Sequence, residues 1–303
     1  LRTILPIFVI IFLGWSLRRL DFMQEGFLKP ANRLVYYVAI PAMIFREIAT
    51  AEMAEHFRLV LVAATLSPLL IVSLAGLFLA RSIKLPRYRV GTFLQCGFHG
   101  NLGYIGLAVA YYFLGDDGLT RASILAGFVM LLQNFLAVVA LSKFNSEPKR
   151  KLSVFALLRR ILLNPVIISA MAGMAWSLSG LHLPVILDRS LSILSGMALP
   201  LALLVIGTSV SFAQMQQQLR LTTLISFLKL ILLPALGLTF FYFLGFERVE
   251  YLPALILLAS PTATVSYVMA SEMAGDASLA TAAISVTTLF SAVTFVLWLG
   301  VGS

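Results

Sequence analysis

Gly115-Asp116-Asp117-Gly118-Leu119-Thr120-Arg121-Ala122-Ser123-Ile124 returns 160 residues later as Gly275-Asp276-Ala277-Ser278-Leu279-Ala280-Thr281-Ala282-Ala283-Ile284. Each copy lies between two long apolar segments. Two further pairs keep nearly the same spacing. Ala39-Ile40-Pro41 answers Ala198-Leu199-Pro200 at an offset of 159, and Trp15-Ser16-Leu17 answers Trp176-Ser177-Leu178 at 161. Three matches near one offset point to a chain built twice from one plan.

The material of that plan is membrane helix. Of 303 residues, 60% are hydrophobic and 12% charged, whereas a soluble domain carries about 25% charge. The apolar residues run from end to end, which excludes a single anchor on a soluble body. At roughly 20 residues per span, the length holds about ten helices. The segments are apolar on all sides and do not alternate, so a transmembrane β-barrel is excluded. Expected spans are 3–20, 30–49, 57–80, 90–114, 119–142, 154–179, 185–211, 219–244, 250–272 and 278–300. Five spans per copy is an odd number, so the two copies must insert in opposite directions. The expected fold is an all-α polytopic membrane protein with ten transmembrane helices in two inverted five-helix repeats. Residues 1–145 form the first repeat, 146–153 a connector and 154–303 the second repeat.

A net charge of +9 does not signal nucleic acid, because Lys and Arg collect in short connectors. Fifteen fall on one side of the expected topology and six on the other, which places both termini outside and the Ser146–Arg160 connector in the cytoplasm. The basic run Lys149-Arg150-Lys151 has two readings, anionic-lipid binding or fixing of topology, and the second is its ordinary role. The single cysteine, Cys96, excludes an internal disulfide. No metal-ligand spacing, cofactor motif or cleavable signal is found. Without a P-loop for ATP, energy for transport would come from an ion gradient or the membrane potential.

The offset of 160 sets Gly100-Asn101-Leu102-Gly103-Tyr104 in span four against Ser260-Pro261-Thr262-Ala263-Thr264 in span nine. Both stretches fall mid-span and both weaken helix. Proline lacks an amide donor and clashes with the preceding turn; glycine lowers the cost of unwinding. A helix broken inside the bilayer frees backbone groups, tolerable only within protein or along a wet cavity. Free amides at the start of a half-helix favour an anion, and Asn101 and Thr262 would add side-chain donors at that depth. The competing reading is that small residues and proline serve packing and kinking alone. The pairing of the two stretches under the repeat favours a substrate site.

Lys229 in span eight is roughly 13 Å from the cytoplasmic end, near midplane depth. Such a lysine neutralises an anion or exchanges a proton, or else snorkels to the surface. Gln133 and Asn134 lie midway in span five, within reach of the same cavity. His99 beside the break reads as a neutral, hydrogen-bonded histidine or as a titrating group. Asn164-Pro165 starts or kinks span six, and Asp117 and Asp276 are placed to cap the helices that follow them. No acidic residue lies convincingly at mid-membrane depth to bind a coupling cation.

Gly100-Asn101-Leu102-Gly103-Tyr104-Ile105-Gly106-Leu107, Asn164-Pro165, Ala198-Leu199-Pro200-Leu201 and Pro261-Thr262-Ala263 with Gly275-Asp276 together resemble the auxin efflux carrier family of bacterial transporters, within the group that includes bile-acid sodium symporters. The resemblance covers both halves. It departs at Ala108, where relatives often have proline. It implies a scaffold from spans 1, 2, 6 and 7, a moving transport domain from spans 3–5 and 8–10, and broken spans four and nine crossing at the site. It also implies elevator-like movement, a homodimer, and residence in the bacterial inner membrane. The family moves organic anions, among them malonate, malate and indole-3-acetate.

The expected function is a secondary carrier of a small organic carboxylate, with H⁺ or Na⁺ as possible coupling ion and no cofactor. Candidate substrate-binding residues are Gly100, Asn101, Gly103, Tyr104, Gln133, Asn134, Lys229, Ser260, Pro261, Thr262 and Thr264. Tyr104 and Tyr267 offer surface to an apolar tail. A channel or membrane sensor is the alternative. An intramembrane enzyme is disfavoured because the three histidines are scattered and no paired acids stand with them.

Overall fold

The computed structural model describes residues 4–51, 57–144 and 163–301. The expected connector 146–153, the first part of the expected sixth span (154–162) and His56 lie outside the described residues. Within them the chain is helical, and the only extended pairing is one isolated antiparallel bridge between Gly100 and Thr262.

In chain order the helices are α1 (Ile4–Arg19), α2 (residues 25–49), α3 (Leu59–Ser82), α4 (Arg87–Phe98), α5 (residues 102–114) and α6 (residues 116–144). There follow α7 (Pro165–Leu178), α8 (Val185–Thr208), α9 (Phe212–Gln217), α10 (Leu219–Phe243), α11 (Arg248–Ala259), α12 (Val265–Glu272) and α13 (Ala277–Gly300). Among the described residues, five helices are long and apolar enough to cross a membrane: Leu59–Ser82, Leu102–Phe144, Val185–Thr208, Leu219–Phe243 and Ala277–Gly300. The protein is a multi-pass membrane protein of all-helical class. Large apolar side chains such as Leu74, Phe78, Ile186, Ile193 and Tyr242 stand exposed on its outer surface, where they would strand in water but suit lipid.

Leu102–Phe144 divides at Gly115, whose φ of 75° and ψ of −161° belong to a region that only glycine enters readily. The chain reverses there. Gly91 lies against Ala140 and Leu141, Gly100 is bonded to Gln133, and Gly103 approaches Met130, so α6 runs back alongside α5 and then α4.

Caps and breakers set the other ends. Asn164 accepts from the Val166 amide at 2.9 Å with Pro165 at the first helical position, so this pair starts α7 as described. Asp276 accepts from the Leu279 amide at 2.9 Å and so caps α13. Asp117 lies in the first turn after the Gly115 break and accepts from Arg121 at 2.8 Å. In α10 a wide π turn at Phe227–Leu232 precedes Pro234. Proline cannot donate to the carbonyl four residues back, and that carbonyl, Leu230, takes the Trp298 indole N–H at 2.7 Å instead.

Close packing relies on glycine. A Cβ at Gly14 would lie 2.1 Å from the Leu204 carbonyl oxygen, and one at Gly207 would lie 2.0 Å from that of Ile11. Helices α1 and α8 therefore meet backbone to backbone, as small residues permit within lipid. α2 packs on α7 and α8; α4 packs on α3 and α6; α13 packs on α9, α10 and α11. Arg46 of α2 binds Asp188 of α8 at 2.8 Å, and Arg89 of α4 binds Asp276 at 2.6 Å.

Candidate functional site

Two interrupted helices, α4–α5 and α11–α12, meet at their breaks. The Asn101 amide donates to the Pro261 carbonyl at 2.7 Å and the Ala263 amide donates to the His99 carbonyl at 2.9 Å. These bonds form the Gly100–Thr262 bridge.

The breaks can be followed bond by bond. In an unbroken helix the Gly100 amide would serve Cys96. It donates instead to Gln133 Oε1 at 3.0 Å, while Gln133 Nε2 returns a bond to the Gly100 carbonyl at 3.2 Å. The Cys96 carbonyl so released accepts the Thr262 hydroxyl at 2.8 Å. In the second helix Pro261 has no amide for Leu257, and the Ser260 hydroxyl takes that carbonyl at 2.7 Å. The Thr262 amide, which would serve Leu258, turns to Thr287 Oγ1 at 3.0 Å. The Leu258 carbonyl receives Lys229 Nζ at 2.8 Å. Buried backbone groups must find partners, and at this crossing side chains from neighbouring helices supply them.

Beyond the crossing a cavity of about 1250 Å³ opens toward α2. The start of α5 (Leu102, Gly103, Tyr104) and the start of α12 (Ala263, Thr264, Val265) both line it. The first amides of a helix have no intrahelical acceptor and carry its positive end. Asn101 is 5% exposed, and its Nδ2 has no hydrogen-bond partner. A buried N–H₂ without an acceptor, beside two helix starts, is the kind of donor that an anion would satisfy. The cavity extends past Asn32, Tyr36 and Ile40 to the exposed Lys29 and Arg33 on α2. The Tyr104 hydroxyl crosses it to donate to Asn32 Oδ1 at 2.6 Å.

The residues singled out from sequence divide in two. Gly100, Asn101, Gly103, Tyr104, Gln133, Asn134 and Thr264 line the cavity, as does Tyr267. Asn134 turns its Nδ2 onto Met130 of its own helix at 2.8 Å. Lys229, Ser260, Pro261 and Thr262 are buried behind the crossing and do not line the cavity. Their side chains complete broken backbone. Lys229 does not snorkel, since it is 0% exposed and its ammonium points at the end of α11. His99 is buried with Nδ1 3.4 Å from Gln95 Nε2, and its carbonyl is part of the bridge.

The sequence pattern does not point to Thr287 or Asn32 for these roles. Adding 160 to Gln133 leads to Val293, not Thr287. The separation from bridge residue to bracing side chain is 33 residues in the first half and 25 in the second, chiefly because Gln133 lies deeper in α6 than Thr287 lies in α13. A fixed offset misses the partner, whereas the geometry of the bond finds it.

Residues 1–299 match the membrane transport protein family, the auxin efflux carrier group that the sequence motifs resemble. The chain belongs to that family. Three curated proteins align with this membrane transport protein over nearly their whole lengths. One is an uncharacterized transporter of Methanothermobacter thermautotrophicus, 26% identical over 98% of this chain and 96% of its own. Another, from Rhizobium meliloti, is named "Putative malonate transporter" and is 29% identical over 96% and 92%. The third, an uncharacterized transporter of Methanocaldococcus jannaschii, is 24% identical over 98% and 96%.

Proposed function

We propose that this membrane transport protein is a secondary carrier of small organic anions. Its substrates are malonate- or malate-like dicarboxylates or aromatic carboxylates of the indole-3-acetate kind. The carboxylate sits on the first amides of α5 and α12 with Asn101 Nδ2. The observation that carries this reading is that unpartnered, buried amide nitrogen at the convergence of two helix starts. The name of the Rhizobium meliloti relative agrees with it.

Ten spans in two inverted repeats underlie the mechanism in this reading. Bonds that recur in both halves support the repeat. Arg87 at the start of α4 binds the Lys143 carbonyl at the end of α6, and Arg248 at the start of α11 binds the Leu299 carbonyl at the end of α13. Gln133 braces Gly100 as Thr287 braces Thr262. The tight α1–α8 and α2–α7 packing supports a scaffold of spans 1, 2, 6 and 7. The body holding the crossing then moves past that scaffold as an elevator, and Tyr104–Asn32 is a contact between the two. Coupling to H⁺ or Na⁺, scaffold-mediated dimers, termini outside the cell and placement in the inner membrane belong to the same reading.

Reconstituted protein should show saturable, trans-stimulated uptake of radiolabelled malonate. Asn101→Ala should weaken apparent affinity about tenfold to a hundredfold, the worth of one hydrogen bond to a charged group. Flux that neither saturates nor shows counterflow would identify a channel. Unaltered kinetics in the variant would remove Asn101 from the site.

A further inference from the structure

Lys229 has a place in the wall of the crossing but none in the cavity, and among the described residues no carboxylate pairs with it. Its ammonium donates to the carbonyl of Leu258, in the last turn of α11. A Cβ built on Gly100 would stand 3.3 Å from that nitrogen. The nitrogen therefore lies directly against the bridge residue, outside the lining of the cavity and one residue before Asn101. Among the described residues, no ion pair involves Lys229, and the only acidic side chain that is buried is Glu47, on α2 with Arg46 and Thr120. Among the described residues, the titratable group from the packed elements that feels Lys229 is His99 of α4, itself hydrogen-bonded to Gln95. The carbonyl end of α11 favours the charged amine, and a charge so placed is far less screened than one in water.

We propose that Lys229 is the fixed counter-charge of the anion site, acting through the crossing on a substrate that it never touches. This rests on the carrier reading above and adds to it the origin of selectivity for charge. Helix starts and Asn101 offer hydrogen bonds that a neutral carbonyl would also accept. The ammonium adds a field that grows with each negative charge on the ligand. For a carboxylate about 8 Å from the nitrogen, at an effective dielectric constant of about 20, that field changes affinity roughly 30-fold per charge. Gly100 is then required twice: for the break, and to let the ammonium approach the bridge.

The decisive variant is Lys229→Gln, whose side-chain amide can still donate to Leu258 but carries no charge. Counterflow of radiolabelled malonate would be competed with malonate, malonamate and malonamide, which carry two, one and no negative charges. The expected result is a loss of roughly 30-fold for malonamate, a larger loss for malonate, and no change for malonamide. A uniform loss across the three, or affinities equal to those of the unmodified protein, overturns the proposal. Lys229→Met, apolar and of similar length, repeats the measurement should the glutamine variant fail to fold. Absence of any counterflow in the unmodified protein would count against the carrier reading instead, and so the two failures are distinct.

Discussion

Replacing Gln133 by leucine tests whether side chains from flanking helices hold the crossing together. The structure gives Gln133 two bonds to one residue, accepting from the Gly100 amide at 3.0 Å and donating to the Gly100 carbonyl at 3.2 Å, with only 2% of the residue exposed. Leucine fills much the same volume but leaves both backbone groups without partners. Each such buried group costs about 1–3 kcal/mol, and hydrogen bonds between membrane helices lie toward the low end, about 1 kcal/mol. Gln133→Leu should therefore destabilise the protein by about 2–4 kcal/mol. Thr287→Val removes one brace only, the bond to the Thr262 amide at 3.0 Å, and should cost about half as much. Reversible unfolding in mixed micelles, followed by helix content, measures both, and malonate counterflow should fall in the same order. If Gln133→Leu unfolds within about 0.5 kcal/mol of the unmodified protein, a range typical of neutral surface changes, the crossing does not depend on that brace and the account of the break is wrong.

Two further outcomes follow from packing and topology. Gly207→Ala puts a methyl carbon where the Ile11 carbonyl stands 2.0 Å away; the α1–α8 contact must open, at a cost of about 1–3 kcal/mol, read as a lower unfolding temperature in detergent. Asp116→Cys and Gln216→Cys, both at exposed positions, should react with an impermeant thiol reagent from opposite faces of sealed vesicles, native Cys96 being buried. Labelling of both from one face would contradict ten spans in inverted halves.

Much of the site is legible in the sequence because helix breakers announce themselves. Pro261 has no amide to give, and Gly97, Gly100, Gly103 and Gly106 crowd one span; both facts predict interruption whatever surrounds them. The duplicated Gly115–Ile124 and Gly275–Ile284 stretches brought the two interruptions into correspondence. Composition alone required a multi-pass helical protein. Asn101 could be nominated from sequence, but that its Nδ2 would be left without a partner depends on everything packed around it. Thr262 shows the converse. The sequence presents it as a donor to substrate, yet its hydroxyl serves Cys96 and its amide serves Thr287.

What the chain determined by itself is local: apolar length selects membrane helix, and a missing amide or missing Cβ marks where a helix fails. Only the tertiary structure decided which groups the failed turns turn to. A freed carbonyl at Leu258 or Cys96 is satisfied by whichever donor another helix brings within 3 Å, Lys229 in one case and Thr262 in the other. Those partners stand 29 and 166 residues away. No spacing rule encodes such a distance; it is set when the helices pack and every buried polar group must be paired.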